Sequence, residues 1–157
     1  MNELVSVIIT TYNRLERLKE ALKSVQEQSY PHIEIIIVDS SKTENTKEYI
    51  LKNKRIIYAQ SNINHPNVLR NIGIQYSTGN WIAFLDDDDT WDKEKITKQV
   101  ECFKKNKIGL CYTGKNIINQ NNKNIKYSYK KGLFNVSAKS IMWDNFIGVT
   151  SSIMIKK

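Results

Sequence analysis

The chain has 157 residues, 40% of them hydrophobic and 25% charged, which suits one domain with a buried core and excludes both a disordered segment and two ordinary domains. Its longest apolar runs, Ile35 to Val38 and Trp81 to Leu85, fall far short of the ~20 residues of a spanning helix, and Met1 to Leu4 carries no secretory pattern, so a cytoplasmic address is expected. The net charge of +8 is lopsided: residues 1 to 101 hold 13 Lys/Arg against 15 Asp/Glu, while residues 102 to 157 hold 11 Lys against Asp144 alone, a surface that is either simply solvated or turned toward an anionic membrane or polyanion.

Leu4 to Thr10 is apolar or β-branched at nearly every position, the pattern of a strand buried on both faces. From Arg14 to Gln28, Leu15, Leu18, Leu22 and Val25 recur at helical spacing, and Ser29-Tyr30-Pro31 ends the helix. Ile33 to Val38 reads as a second strand, Thr43 to Asn53 as a helix with Tyr49, Ile50 and Leu51 inward, and Arg55 to Ala59 as a third strand. Pro66 suits the first turn of a helix continuing through Tyr76, and Thr78-Gly79-Asn80 breaks the chain before a fourth strand, Trp81 to Leu85. A helix from about Trp91 to Asn106 and a strand from Ile108 to Tyr112 follow. Beyond Gly114 the pattern weakens into a polar stretch to Tyr129, a short helix within Val136 to Phe146, and a late strand from Ser151 to Ile155. Strands alternating with helices predict an α/β fold: an open, mainly parallel central sheet with helices on both faces.

Ligands of such sheets bind outside the carboxyl ends of the strands. Thr11-Tyr12-Asn13-Arg14 follows the first strand, Asp39-Ser40-Ser41 the second, and Asp86-Asp87-Asp88-Asp89 the fourth. Adjacent carboxylates repel one another, and a hard divalent cation, Mg2+ or Mn2+, held by one or two of them with substrate phosphates, relieves the repulsion. The alternative is that Asp88 and Asp89 cap the next helix. An EF-hand started at Asp86 fails, because Trp91 falls at its glycine and Thr97 at its bidentate glutamate. No GxGxxG follows the first strand and no GxxxxGK[ST] occurs, which removes the hydride-transfer and P-loop templates. Two cysteines without CxxC spacing and two histidines exclude a disulfide scaffold and argue against structural zinc.

Taken in order, Val5 to Arg14, Glu34 to Asp39, Arg70-Asn71-Ile72-Gly73, Gly79 and Phe84 to Trp91 resemble the family 2 nucleotide-sugar glycosyltransferases of the GT-A fold, with weaker likeness through Thr150-Ser151-Ser152. The resemblance implies an inverting transfer from a nucleoside-diphosphate sugar, expected to be a UDP-sugar, to a hydroxyl acceptor that is a saccharide or lipid-linked saccharide. It places Thr11, Tyr12, Arg14 and Asp39 around the nucleoside, Arg70 at the base or diphosphate, Asp86 near the ribose with Asp87 interposed, and Asp88 on the metal. The family's general base lies in a later acidic motif. Only Asp144 follows Glu101, in a context unlike that motif, so residues 1 to 112 are expected to form the nucleotide-sugar-binding part and 113 to 157 the start of an acceptor-side part, with the base beyond Lys157. Two alternatives remain at this point. One is a nucleotide- and metal-binding fragment or degenerate homologue without catalysis. The other is a basic module gripping anionic lipid or nucleic acid, although no nucleic-acid motif accompanies the lysines; peripheral contact with the inner face of a membrane is the more natural use of that charge.

Overall fold

The computed structural model describes residues 3–119, 124–128 and 148–157. Its elements are β1 (Val5–Thr11), α1 (Leu15–Gln26), β2 (Ile33–Asp39), α2 (Asn45–Leu51), β3 (Ile56–Gln60), α3 (Pro66–Tyr76), β4 (Trp81–Asp86), α4 (Lys95–Lys105), β5 (Leu110–Tyr112), β6 (Lys115–Ile118), β7 (Asn124–Ser128), a 3-10 turn over Thr150–Ser152, and β8 (Ile153–Lys156). Six strands form one sheet in the order β3-β2-β1-β4-β8-β5. β1 to β4 run parallel, and β8 lies antiparallel between β4 and β5. The expected mainly parallel α/β sheet is present.

The continuous apolar run of β1 is explained by helices on both sides, since successive side chains of a strand point to opposite faces. Val5, Val7 and Ile9 join Leu18, Leu22 and Val25 of α1, Ile50 of α2, and Ile96, Val100 and Phe103 of α4 in one core. Ile8, Ile36, Val38, Ile82 and Phe84 form the other, against Leu69 of α3. Each fully buried aliphatic side chain contributes roughly 1.5–3 kcal/mol. The second core requires close approach: a Cβ on Gly73 would lie 2.4 Å from Ile8 Cγ2, so α3 packs on β1 only because position 73 has no side chain. Gly79 is confined by backbone, with a Cβ position 2.6 Å from the Leu4 carbonyl oxygen.

Three local readings change. α2 is seven residues long and buries Thr46 and Ile50, one turn apart, whereas Tyr49 and Leu51 flank that stripe and are exposed. α4 starts at Lys95 rather than Trp91, with no side-chain cap at Glu94, so Asp88 and Asp89 do not cap it. The polar stretch after Gly114 contains a two-stranded antiparallel pair, β6 and β7, with its own register. The helix expected within Val136 to Phe146, and Asp144, lie outside the described residues.

Candidate functional site

Sheet register brings the predicted residues together. Thr11 lies opposite Asp39 across β1 and β2, and Thr10 lies opposite Asp86 across β1 and β4, so three strand ends meet at one carboxyl edge. The alternation of β4 then sorts the aspartates. Asp86 keeps the parity of Ile82 and Phe84 and reaches the α3 side, where Arg70 Nη2 donates to its Oδ1 at 2.7 Å. Asp87 turns to the opposite side and is wholly buried; Thr11 Oγ1 donates to its Oδ2 at 2.7 Å. Asp88 points outward, with its side chain 52% exposed. The Asp89 amide donates to the Asp86 carbonyl at 3.1 Å, closing the chain into a turn.

Arg14 lies across this turn. Its Nη1 donates to Asp88 Oδ2 at 2.9 Å, and its Nη2 lies 2.8 Å from Asp87 Oδ1. That second contact is an ion pair without hydrogen-bond alignment: among the described residues, Asp87 Oδ1 has no hydrogen-bond partner. Burial raises the Asp87 carboxyl above its usual range, only partly offset by Thr11 and Arg14. Asp89 is raised for the same reason, against the opposing influence of the Ser151 hydroxyl. The residue before Arg14, Asn13, has φ of 53°, a left-handed conformation that asparagine tolerates. Asn13 is fixed there by donating its amide to Ser41 Oγ at 2.8 Å and accepting from the Lys42 amide at its Oδ1.

Asp39 is fully buried at the end of β2. The Ser41 amide donates to its Oδ1 at 2.7 Å and the Tyr58 hydroxyl to its Oδ2 at 3.0 Å. Tyr12, half-buried, continues β1 into the edge. Two residues absent from the sequence-derived set hold this arrangement. Tyr58 of β3 is one. Ser151 is the other: its Oγ accepts from the Asp86 amide at 3.0 Å, and its carbonyl accepts from Trp91 Nε1 at 2.8 Å.

The donor set fits Mg2+ or Mn2+ in a limited sense. Asp86 and Asp88 present carboxylate oxygen to solvent, with side chains 31% and 52% exposed. Among the described residues no three His, Cys, Asp or Glu side chains converge on one point. A hard cation that keeps several waters and takes one or two carboxylates plus phosphate oxygens suits that set, and a cage made of protein ligands alone does not.

Comparison with known proteins identifies the family. The family model described as glycosyl transferase family 2 matches residues 6–157. The chain is 37% identical over 114 residues to the UDP-Glc:alpha-D-GlcNAc-diphosphoundecaprenol beta-1,3-glucosyltransferase WfaP of Escherichia coli, a match covering 71% of this chain and 45% of that protein. Among solved structures, S. aureus TarS 1-349 in complex with UDP-GlcNAc aligns with a TM-score of 0.62 and 24% identity, covering 68% of this chain and 33% of that one. The mannosyltransferase PcManGT of Pyrobaculum calidifontis, in complex with GDP-Man and Mn2+, aligns with a TM-score of 0.60 and 22% identity, covering 70% and 35%. These two show the shared GT-A architecture. The chain spans under half the length of the curated relatives that it matches. With the family model covering nearly all of its length and WfaP matching over most of it, this chain belongs to glycosyl transferase family 2.

Proposed function

We propose that this edge of the sheet binds the donor of a glycosyl transfer, a nucleoside-diphosphate sugar, with UDP as the nucleotide. The observation that carries the reading is the meeting of Thr11, Asp39 and Asp86 in register at one carboxyl edge, with Arg14 and Arg70 paired to the acidic turn beside them. Asp39, fully buried and held by Ser41 and Tyr58, fixes the base end of the edge, and Tyr12 offers a ring for stacking. Arg70 supplies directed charge: its Nη2 is on Asp86, and among the described residues its buried Nε has no partner. The name of WfaP, 37% identical over 114 residues, carries UDP-Glc and supports UDP.

The reaction in this reading is attack of an acceptor hydroxyl on the anomeric carbon with inversion, the nucleoside diphosphate leaving. Asp88 would hold Mg2+ or Mn2+, whose chemistry is to offset charge on the departing diphosphate, with Asp86 beside the ribose. Asp86 and Asp87 are engaged by Arg70 and by Thr11 with Arg14, and Asp39 by Ser41 and Tyr58. None of them is assigned as the general base, and the described residues are read as the donor-binding part. The diphosphoundecaprenol in the WfaP name supports a lipid-linked saccharide as acceptor, and the lysine-rich residues 102 to 157 supply charge for contact with an anionic leaflet. Among the described residues no helix is long and apolar enough to cross a membrane.

Calorimetric titration of UDP with and without Mn2+ tests the reading. Binding strengthened by the metal is expected; equally negligible heats under both conditions would overturn it.

A further inference from the structure

Arg14 occupies an unusual place. It is the residue from which α1 departs, at the positive end of the helix dipole, where a cation is disfavoured. What holds it there is the acidic turn, Asp88 at 2.9 Å and Asp87 at 2.8 Å. The hold is lopsided. The Asp88 contact is a hydrogen bond between two side chains that are each about half exposed, whereas the Asp87 contact is a misaligned ion pair on a buried oxygen. The first can therefore exchange its partner against water or phosphate at little cost. The second keeps the guanidinium near the turn.

We propose that Arg14 holds the place of the divalent cation on Asp88 while the site is without nucleotide, and that an arriving diphosphate draws the guanidinium onto its own oxygens and opens Asp88 to the metal. This inference rests on the reading of the edge as a nucleoside-diphosphate site. Arginine suits the exchange because its planar fork matches carboxylate and phosphate alike. The arrangement makes the turn a poor metal site by itself, consistent with the lack of any three converging ligands among the described residues. Metal and nucleotide then bind with positive coupling, and each raises the affinity for the other by the same factor. Arg70 does not serve this role, because its partner is Asp86 and its side chain is largely buried on the α3 side.

The test is Mn2+ binding to the whole chain, followed by the electron paramagnetic resonance signal of free Mn2+ at fixed ionic strength, without and with UDP and corrected for Mn2+ held by UDP alone. Arg14→Gln is compared with the wild type, and Arg17→Gln, an exposed arginine that pairs with Glu20 on the same helix, controls for loss of one positive charge. Without UDP, Arg14→Gln is expected to bind Mn2+ at least about fivefold more tightly than the wild type, and the factor by which UDP improves Mn2+ binding is expected to shrink correspondingly. Unchanged or weaker Mn2+ binding by Arg14→Gln, with the wild-type UDP effect retained, would overturn the role of Arg14 and leave the nucleotide site standing. An equal gain in Arg17→Gln would assign the effect to net charge and overturn it too. Absence of UDP-dependent Mn2+ binding in the wild type would overturn the site reading and this inference together. Arg14 is half exposed and outside both cores, so folding of the variant is expected and is checked by its thermal melt.

Discussion

Two carboxylates at opposite ends of β2 show how a single residue can hold loops in place. At the carboxyl end, Asp39 takes its donors from Ser41 and Tyr58, and burial together with the Asp39 charge pushes the Tyr58 hydroxyl well above its usual pKa, so that it stays a donor. Tyr58→Phe leaves one oxygen of a buried carboxylate without its protein donor, an expected loss of about 1–3 kcal/mol in urea unfolding, and under the proposed function a weaker UDP heat as well. At the amino end, Glu34 accepts from the Ser6 hydroxyl, from the Thr78 hydroxyl at 2.8 Å and from the Gly79 amide at 3.0 Å. Burial alone would raise its carboxyl, but these donors outweigh it and hold the pKa below the ordinary value. The folded pKa is thus lower than the unfolded one. The stabilisation is complete above the unfolded value and is lost as pH falls through the folded one. Glu34→Ala is therefore expected to unfold at lower urea than the wild type by about 1–3 kcal/mol at pH 7, with the gap closing in acid as the wild type loses its advantage. A gap independent of pH would show that the ionised carboxylate is not what ties the Thr78-Gly79 turn to β1.

At the scale of elements, α4 carries the largest departure from what its sequence implies. Lys95, the first residue of the helix, is only 6% exposed, with Nζ donating to Gln99 Oε1 at 2.6 Å and lying 4.0 Å from the centre of the Trp91 ring. Burial pushes its pKa from 10.5 down to about 7, with Cys111 opposing the shift weakly. Below about pH 7 the ammonium is charged in both states and its burial cost is fully felt; between there and 10.5 the folded state sheds a proton that the unfolded chain keeps, so this residue's contribution rises with pH. Lys95→Met, which keeps the stem and removes the charge, is expected to compare most favourably with the wild type near pH 6 and to lose roughly 2–3 kcal/mol of that advantage by pH 9, read from denaturant midpoints at each pH. A difference constant across that range would mean that the lysine is equally charged in both states. The parallel strands, α1 and α3 were legible because their periodicities are local: six of the seven positions in β1 are apolar or β-branched, and α1 has a repeating stripe. The gathering of Thr11, Asp39 and Asp86 was legible for the same reason, since each closes a recognisable strand. What was not legible depends on register and on distant chain. Tyr58 looks like any strand aromatic until pairing sets its hydroxyl on Asp39, and Ser151 acquires its role only by returning to the Asp86 amide from 65 residues away.

For the molecule as a whole, that return is what completes the sheet. β5 pairs with β8 and not directly with β4, so the last described strand joins the edge strand to the parallel core. The 3-10 turn before β8 carries the attachment to the site: Ser151 binds the Asp86 amide and Trp91, and the Ser152 carbonyl accepts from Gln99 Nε2 at 3.0 Å. Damage to β8 should therefore reach the acidic turn, whereas equal damage to the far side of the core should not. Met154 is wholly buried in β8 and Ile50 is 1% exposed in α2, and both belong to the same core. Truncating either to alanine is expected to cost about 2–5 kcal/mol and to lower Tm by several degrees. Their effects on ligand binding should separate. Under the proposed function, Met154→Ala weakens UDP and Mn2+ binding at a temperature where the protein is still folded, because the support of the Asp86 amide loosens with β8. Ile50→Ala, similarly destabilised, keeps near-wild-type affinity, because α2 carries none of the residues proposed to bind nucleotide. Calorimetric titrations of the two variants side by side check this. Equal loss in both would mean that binding follows global stability, and no loss in Met154→Ala would mean that the acidic turn keeps its shape without the strand behind it.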